Sequence, residues 1–467
     1  MLAFNYIVLI VSLIISLLLM PDKIEVFDSS SNFTLSIISL VNVIVFWRTT
    51  QRFFTSWVRY DTLFLLGFLI VHFQIPLLAS FGIEPDDPTF IWINKNVVNY
   101  ATWFSTIAVL LWMLGFLWYS GKKRVVKQQP KYRIDTRKVD ILLILSFCLF
   151  VVLVGKDFLG GGYIGWDSWG SGSGYAFILL NISIYLKIIY FFISYRNVKI
   201  TKYNLGNILF KNKIFVMILG VYLLLFLFAG DRGPIMGVAV LILAAYSIYQ
   251  KKIPFHVFFV MTLVGATIFT ILSYGRSNDV ASRKGNILQS GYETLASSEQ
   301  TFNPTGELAT SVRILYRALD AVPNYHPYLF GTTMISDAIG VIPFGSSIYM
   351  GATGLPIMYS TSSYFFTVLG QGNFFTYGEG SEIIADLYIN LGFWGSIVLM
   401  LFFGYFIGFV TFNANFGEKH TITLVYLLLI TGAIYINRSN FLDPLKMIVY
   451  ALVIDRFLLK KIEIKKN

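Results

Sequence analysis

The chain has 467 residues, 56% of them hydrophobic and 13% charged, with a formal net charge of +11. Soluble domains carry about 25% charged residues, so this composition excludes an ordinary soluble enzyme. The one cysteine, Cys148, lies in an apolar run, which excludes a disulfide framework and a cysteine metal site.

Apolar runs recur at about the 20 residues that a helix needs to cross a bilayer. The first, 2–20, lacks a basic leader and a small-residue cleavage site, and reads as a span rather than a signal peptide. Others follow at 33–47, 61–80, 97–119, 140–155, 175–195, 214–229, 233–249, 254–274, 391–412, 421–436 and 444–459. The sequence therefore predicts an all-α polytopic membrane protein of about 12 transmembrane helices. Nine helices fall within 1–274, a large loop with short helices occupies 275–390, and three helices with a basic tail fill 391–467.

Alternate loops differ in charge. One set holds Arg48, Arg52 and Arg59, the basic stretches 122–138 and 196–213, Lys251, Lys252, Lys419 and the tail from Arg456. The other set is poor in Lys and Arg and holds most carboxylates. Cytoplasmic loops carry the basic excess. Both termini are thus expected in the cytoplasm, as an even span number requires, and the 275–390 loop outside. The positive charge then belongs to topology and to anionic lipid, and no nucleic-acid partner is expected. The apolar stretch 214–249 is too long for one crossing. Its helix would span about 54 Å, against about 30 Å of hydrocarbon. Gly230, Gly233 and Pro234 predict a turn between two spans, with Arg232 at the outer boundary.

Six arginines sit on the expected outer side: Arg232, Arg276, Arg283, Arg313, Arg317 and Arg438. A guanidinium matches phosphate oxygens two at a time and stays charged when partly desolvated. Outer loops otherwise avoid positive charge, so these residues suit a lipid pyrophosphate; pairing with local carboxylates is the competing reading. Arg313 and Arg317 are four apart and share a helix face, with Leu315 and Leu319 on another. They make either an anion clamp or an amphipathic helix salt-bridged through Asp320. His326 is the one outer histidine, a general base or a structural residue. His72 and Gln74 form a polar pair inside a span, as interhelical glue or a cavity lining. Glu379, Glu382 and Asp386 approach a span closely, where carboxylates are costly unless paired or functional. The Gly-rich stretch 160–174 carries Trp166 and Trp169, which either stack on sugars or anchor a linker at the interface. No nucleotide loop, dinucleotide fingerprint, zinc spacing or nucleophile elbow is present, and neither cofactor nor metal is expected.

Three passages carry a family resemblance. Gly230, Asp231, Arg232 and Gly233 resemble a Gly-x-Arg-Gly turn. Tyr328, Leu329, Phe330 and Gly331, followed by Ile342, Pro343 and Phe344, are similar to a Tyr-Leu-x-Gly and Ile-Pro-Arg passage. The stretch from Gly380 to Gly392 resembles a Gly-x-Ser-x-x-x-Glu-x-Tyr-x-Asn-x-Gly signature. With its spans and large outer loop, the whole chain resembles the membrane polymerases of O-antigen, capsule and exopolysaccharide repeat units. Asp386 stands where Glu is usual, and Phe344 where Arg is usual. The resemblance implies a glycosyltransferase in the bacterial cytoplasmic membrane, acting on its outer face. It would join lipid-linked oligosaccharide units carried on undecaprenyl pyrophosphate, with a chain-length regulator and a flippase as partners. On that reading Arg232, Arg276, Arg313, Arg317 and Arg438 hold pyrophosphate, and His326, Glu379 or Asp386 handles the acceptor hydroxyl. Trp166 and Trp169 contact glycan. A ligase passing glycan to another acceptor and a transporter without chemistry are the rivals.

Overall fold

The computed structural model describes residues 2–120, 132–134, 136–154, 158, 172–277, 287–297, 303–416 and 419–461. The first helices are α1 (Leu2–Leu18), α2 (Ser29–Thr50), α3 (Tyr60–Ser80), α4 (Pro88–Trp92) and α5 (Val98–Ser120). Next come α6 (Thr136–Val154), α7 (Ser173–Ser194), α8 (Lys202–Lys211), α9 (Lys213–Ala229), α10 (Arg232–Tyr249), α11 (Phe255–Ser277) and α12 (Ile287–Ser297). Shorter helices follow: α13 (Gly306–Ala309), α14 (Val312–Ala321), α15 (Thr332–Ile339), α16 (Gly345–Thr353) and α17 (Ser362–Gln371). The last are α18 (Ile383–Phe416), α19 (His420–Thr431) and α20 (Asp443–Leu458). Strand β1 (Tyr132–Ile134) pairs antiparallel with β2 (Leu459–Lys461).

Each expected span coincides with a helix except 421–436, where α19 stops at Thr431 and a 3-10 turn, Tyr435–Arg438, follows. Among the described residues seven helices are long and apolar enough to cross a membrane, or eight if α8 and α9, which meet at 89°, make one bent span. The expectation of twelve rests on counting shorter runs as well. Helices α1, α9 and α20 have only 17, 17 and 16 residues, and α19 has 12. Helix α6 opens on Arg137, Lys138 and Asp140.

The chain divides into two compact units. One comprises residues 1–55, 59–127 and 306–446; the other comprises 56–58, 128–305 and 447–467. In the first, α5 is buried along nearly its whole length and packs against α18. Glycine makes the approach possible. A Cβ at Gly115 would lie 1.9 Å from the Leu401 carbonyl oxygen, and one at Gly404 would lie 1.9 Å from that of Trp112. Gly404 and Gly408 form a small-xxx-small pair, which lets membrane helices touch backbone to backbone. Aromatic rings fill the rest, with Phe64 stacked on Trp112 at 4.5 Å. Polar side chains tie α2 to α5, where Thr102 donates to Asn32 Oδ1 at 2.6 Å and Asn32 Nδ2 to Asn99 Oδ1 at 2.7 Å.

In the second unit α6 packs on α7, and Lys187 Nζ lies 2.5 Å from Asp140 Oδ1. The helix break foreseen at residues 230–234 is present. Gly230 ends α9 with φ 72°, and Asp231 caps α10 by accepting from the Gly233 amide at 3.2 Å. The positive φ is a conformation that glycine adopts without strain.

Candidate active site

Helix α14 presents Arg313 and Arg317 on one face, while Leu315 and Leu319 are fully buried on another. The two guanidinium groups converge on one carboxylate. Arg313 Nη1 is in direct contact with Glu379 Oε2, and Arg317 Nη1 lies 3.6 Å from Glu379 Oε1. Glu379 is held besides by Gln371 Nε2, which donates to Oε1 at 3.2 Å, and its own amide donates to Thr367 Oγ1 at 3.0 Å. Phe90 covers Arg313, with its ring centre 4.1 Å from Cζ. Asp320 is directed elsewhere and accepts from Asn94 Nδ2 at 2.6 Å.

Arg313 is thereby satisfied, and Arg317 is not. Its Nε and Nη1 are buried and make no hydrogen bond among the described residues. Burial lowers its pKa, and the Glu379 charge opposes that shift. One carboxylate shared by two guanidinium groups leaves a unit of positive charge over. Buried donors without acceptors cost free energy, so this arrangement favours an incoming anion. Helix α17 makes room for the side chain at Gly370, where a Cβ would lie 1.3 Å from Arg317 Nη1.

A second polar group gathers at the other end of α17. Ser362 Oγ is 2.8 Å from Ser381 Oγ and donates to Asn440 Oδ1 at 2.8 Å. Asn440 Nδ2 donates to Asp337 Oδ2 at 3.1 Å. Asp386 is fully buried, accepting from the Phe441 amide at 2.8 Å and from Asn390 Nδ2 at 3.2 Å. Glu382 accepts from the amides of Ile384 and Ala385 at 2.8 and 2.7 Å, as a cap of α18. His72 Nε2 lies 2.9 Å from Glu382 Oε1, so the intramembrane histidine joins α3 to the start of α18.

Two of the passages behind the family resemblance meet in space. The Leu329 amide donates to the Ile389 carbonyl at 2.8 Å. Tyr328 hydrogen-bonds Tyr388 through their hydroxyls at 3.3 Å. The Tyr328 ring packs on Gly392, whose φ of 66° breaks α18. Around this contact Phe330, Ile335, Ile342, Phe344 and Ile348 are exposed.

The other candidates are dispersed. His326 Nδ1 is 2.8 Å from the Pro327 carbonyl, to which it can only donate. In the neutral ring Nε2 then accepts from the Tyr359 hydroxyl, 3.0 Å away. Arg438 Nη1 is 3.5 Å from Glu307 Oε1. Arg232 lies in the other unit, where its Nη1 donates to the Phe269 carbonyl at 3.1 Å. Arg276 belongs to the last turn of α11, and its side chain lies outside the described residues, as do Trp166 and Trp169 entirely. Sequence reasoning missed Phe90, Asp337, Gly370, Gln371 and Asn440. No local pattern marks them, because each joins the site through a partner distant in sequence. Among the described residues no group of His, Cys, Asp and Glu could hold a metal ion.

Comparison with known proteins finds no match among curated proteins and none among solved structures. A family model, by contrast, matches residues 1–462, spanning both the guanidinium pair of α14 and the Asp386-bearing start of α18. The chain is an integral membrane protein with several apolar spans, and it belongs to the O-antigen polysaccharide polymerase Wzy family.

Proposed function

We propose that this protein polymerises lipid-linked oligosaccharide repeat units, passing a growing glycan from undecaprenyl pyrophosphate to a new repeat unit on the outer face of the cytoplasmic membrane. The observation that carries this reading is the under-satisfied Arg317 beside Arg313 and Glu379. The pyrophosphate of the donor takes the Nε and Nη1 donors, which make no hydrogen bond among the described residues. As the anomeric carbon separates from its oxygen, charge builds on the departing pyrophosphate. Donors fixed in advance in a poorly hydrated place stabilise that charge.

The exposed apolar side chains of α15, α16 and the segment between them support the same reading. An apolar patch of this kind marks contact with lipid or a partner, and a prenyl chain leads its head group along such a surface. The basic loops expected on the opposite side support an outward-facing site.

The test is a purified reaction with lipid-linked repeat unit, read as a glycan ladder together with release of undecaprenyl pyrophosphate. Arg317→Ala and Arg317→Lys are expected to abolish long chains, since an ammonium lacks the planar fork. Undiminished ladders in both variants overturn the role of Arg317. Release of the lipid carrier without any ladder, with the glycan joined to a second acceptor added to the reaction, identifies a ligase instead.

A further inference from the structure

The geometry points to Asp337 as the group that takes the proton from the acceptor sugar hydroxyl. This inference rests on the proposed polymerase function and adds a residue to it.

Three carboxylates near the site, Asp386, Glu382 and Glu379, have both oxygens engaged. Asp386 is bound by Asn390 and the Phe441 amide. Glu382 is bound by two amides of α18. Glu379 faces Arg313 and Arg317. Asp337 differs in two respects. It is half-buried rather than enclosed, and only Oδ2 is used, by Asn440. Its Oδ1 accepts no hydrogen bond among the described residues. A carboxylate lone pair left without a hydrogen bond, on a helix held from several sides, is what proton removal requires.

Its position suits the reaction. Asn440 links Asp337 to Ser362 at the start of α17, while Arg317 lies on Gly370 near the end of that helix. Eight residues of helix separate those points by about 12 Å. In-line displacement sets the base behind the attacking hydroxyl and the phosphate in front of the leaving oxygen. With contacts of about 3 Å from base to hydroxyl and from hydroxyl to carbon, that spacing is on the order of 10 Å. Helix α17 thus carries the contact to Arg317 near one end and, through Asn440, the link to Asp337 at the other.

The step balances. The acceptor oxygen forms a bond to the anomeric carbon, and the bond from that carbon to the pyrophosphate oxygen breaks. The electron pair leaves with the lipid pyrophosphate, and the hydroxyl proton passes to Asp337 Oδ1. A single displacement inverts the anomeric configuration.

The charges around Asp337 fit a base working near neutrality. Asp386 faces it from α18 and Asp443 from the start of α20, and Asn440 donates to it; on the α16 side Ser346 meets its neighbour Ser336. Burial and then the Asp386 charge push its carboxyl up to about 7.

The test uses the full-length protein with lipid-linked repeat unit between pH 5 and 9. Asp337→Asn keeps an acceptor for Asn440 and is expected to lower kcat by about 10²-fold or more, with KM within about threefold and a melting temperature no lower than that of the wild type. Asp337→Glu is expected to retain partial activity with the acid limb of its pH profile moved. A kcat of Asp337→Asn near that of the wild type, or an unmoved limb in Asp337→Glu, overturns the assignment alone. A folded wild type that consumes no repeat unit overturns the polymerase reading and the assignment together.

Discussion

Arg59 and Arg317 belong to the same compact unit, and both are withdrawn from solvent, yet they are treated in opposite ways. Arg59 is fully buried, and Asp61 accepts from it twice, at 2.9 and 2.8 Å. Gln51 Oε1 accepts from Nη1, and Thr50 Oγ1 accepts from Nη2 beside Asp61, at 2.9 Å each. Arg317 shares a more distant carboxylate with another arginine and leaves two donor atoms unused. A guanidinium whose donors are all consumed within the fold holds the fold. One whose donors are left over at a cost is poised for something from outside. Depth alone does not separate structural from functional charge; the tally of acceptors does.

The comparison breaks most visibly through stability. Arg59→Ala leaves Asp61 buried without its cation, at a cost of about 3–5 kcal/mol, and should appear as lost folded yield and early melting in detergent. Arg317→Ala should melt like the wild type or later, while glycan polymerisation falls by about 10²–10³-fold. If Arg317→Ala unfolds the protein as Arg59→Ala does, the distinction fails. Gly370→Ala sharpens the point without touching a charge. The new methyl displaces the Arg317 head, and polymerisation should fall by about 10²-fold with the thermal profile nearly unchanged.

A smaller effect concerns pH. The folded-state pKa of Asp337 is raised to about 7, so folding favours its protonated form. The resulting penalty is absent in acid, where folded and unfolded chains both hold the proton. It grows as pH rises above the ordinary carboxyl range and is complete above about 7. Asp337→Asn should therefore raise the melting temperature at pH 8 and leave it unchanged at pH 4, measured by thermal shift. The smallest effect is expected at the rim. Arg438 and Glu307 are partly exposed and 3.5 Å apart, and Glu307→Ala should cost under about 1 kcal/mol.

What the sequence made legible was local. Spacing of four placed Arg313 and Arg317 on one face, and the neighbouring leucines predicted which face would be buried. Glycines and a proline marked the break at Gly230. The remainder of the site is long-range. Gly370 lies over Arg317, and Asn440 reaches Asp337 about a hundred positions away. Neither contact leaves a periodicity, so neither could be read before the fold was known. The count of crossings was legible only in part, because hydropathy marks apolar helices without saying which of the short ones traverse the bilayer.

The seam between α5 and α18 also has a consequence in time. Gly115 finds its partner carbonyl only at Leu401. The chain leaves the first unit at Lys127 and re-enters it at Gly306, with most of the second unit made in the interval. During synthesis, then, α5 waits in the bilayer with a bare glycine face until the last quarter of the chain emerges. Helices that insert early and assemble late depend on the segment that completes them. A ribosome stalled before residue 400 would release Arg313, Arg317, Asp337, Glu379 and Asp386 on a scaffold whose central joint had never closed.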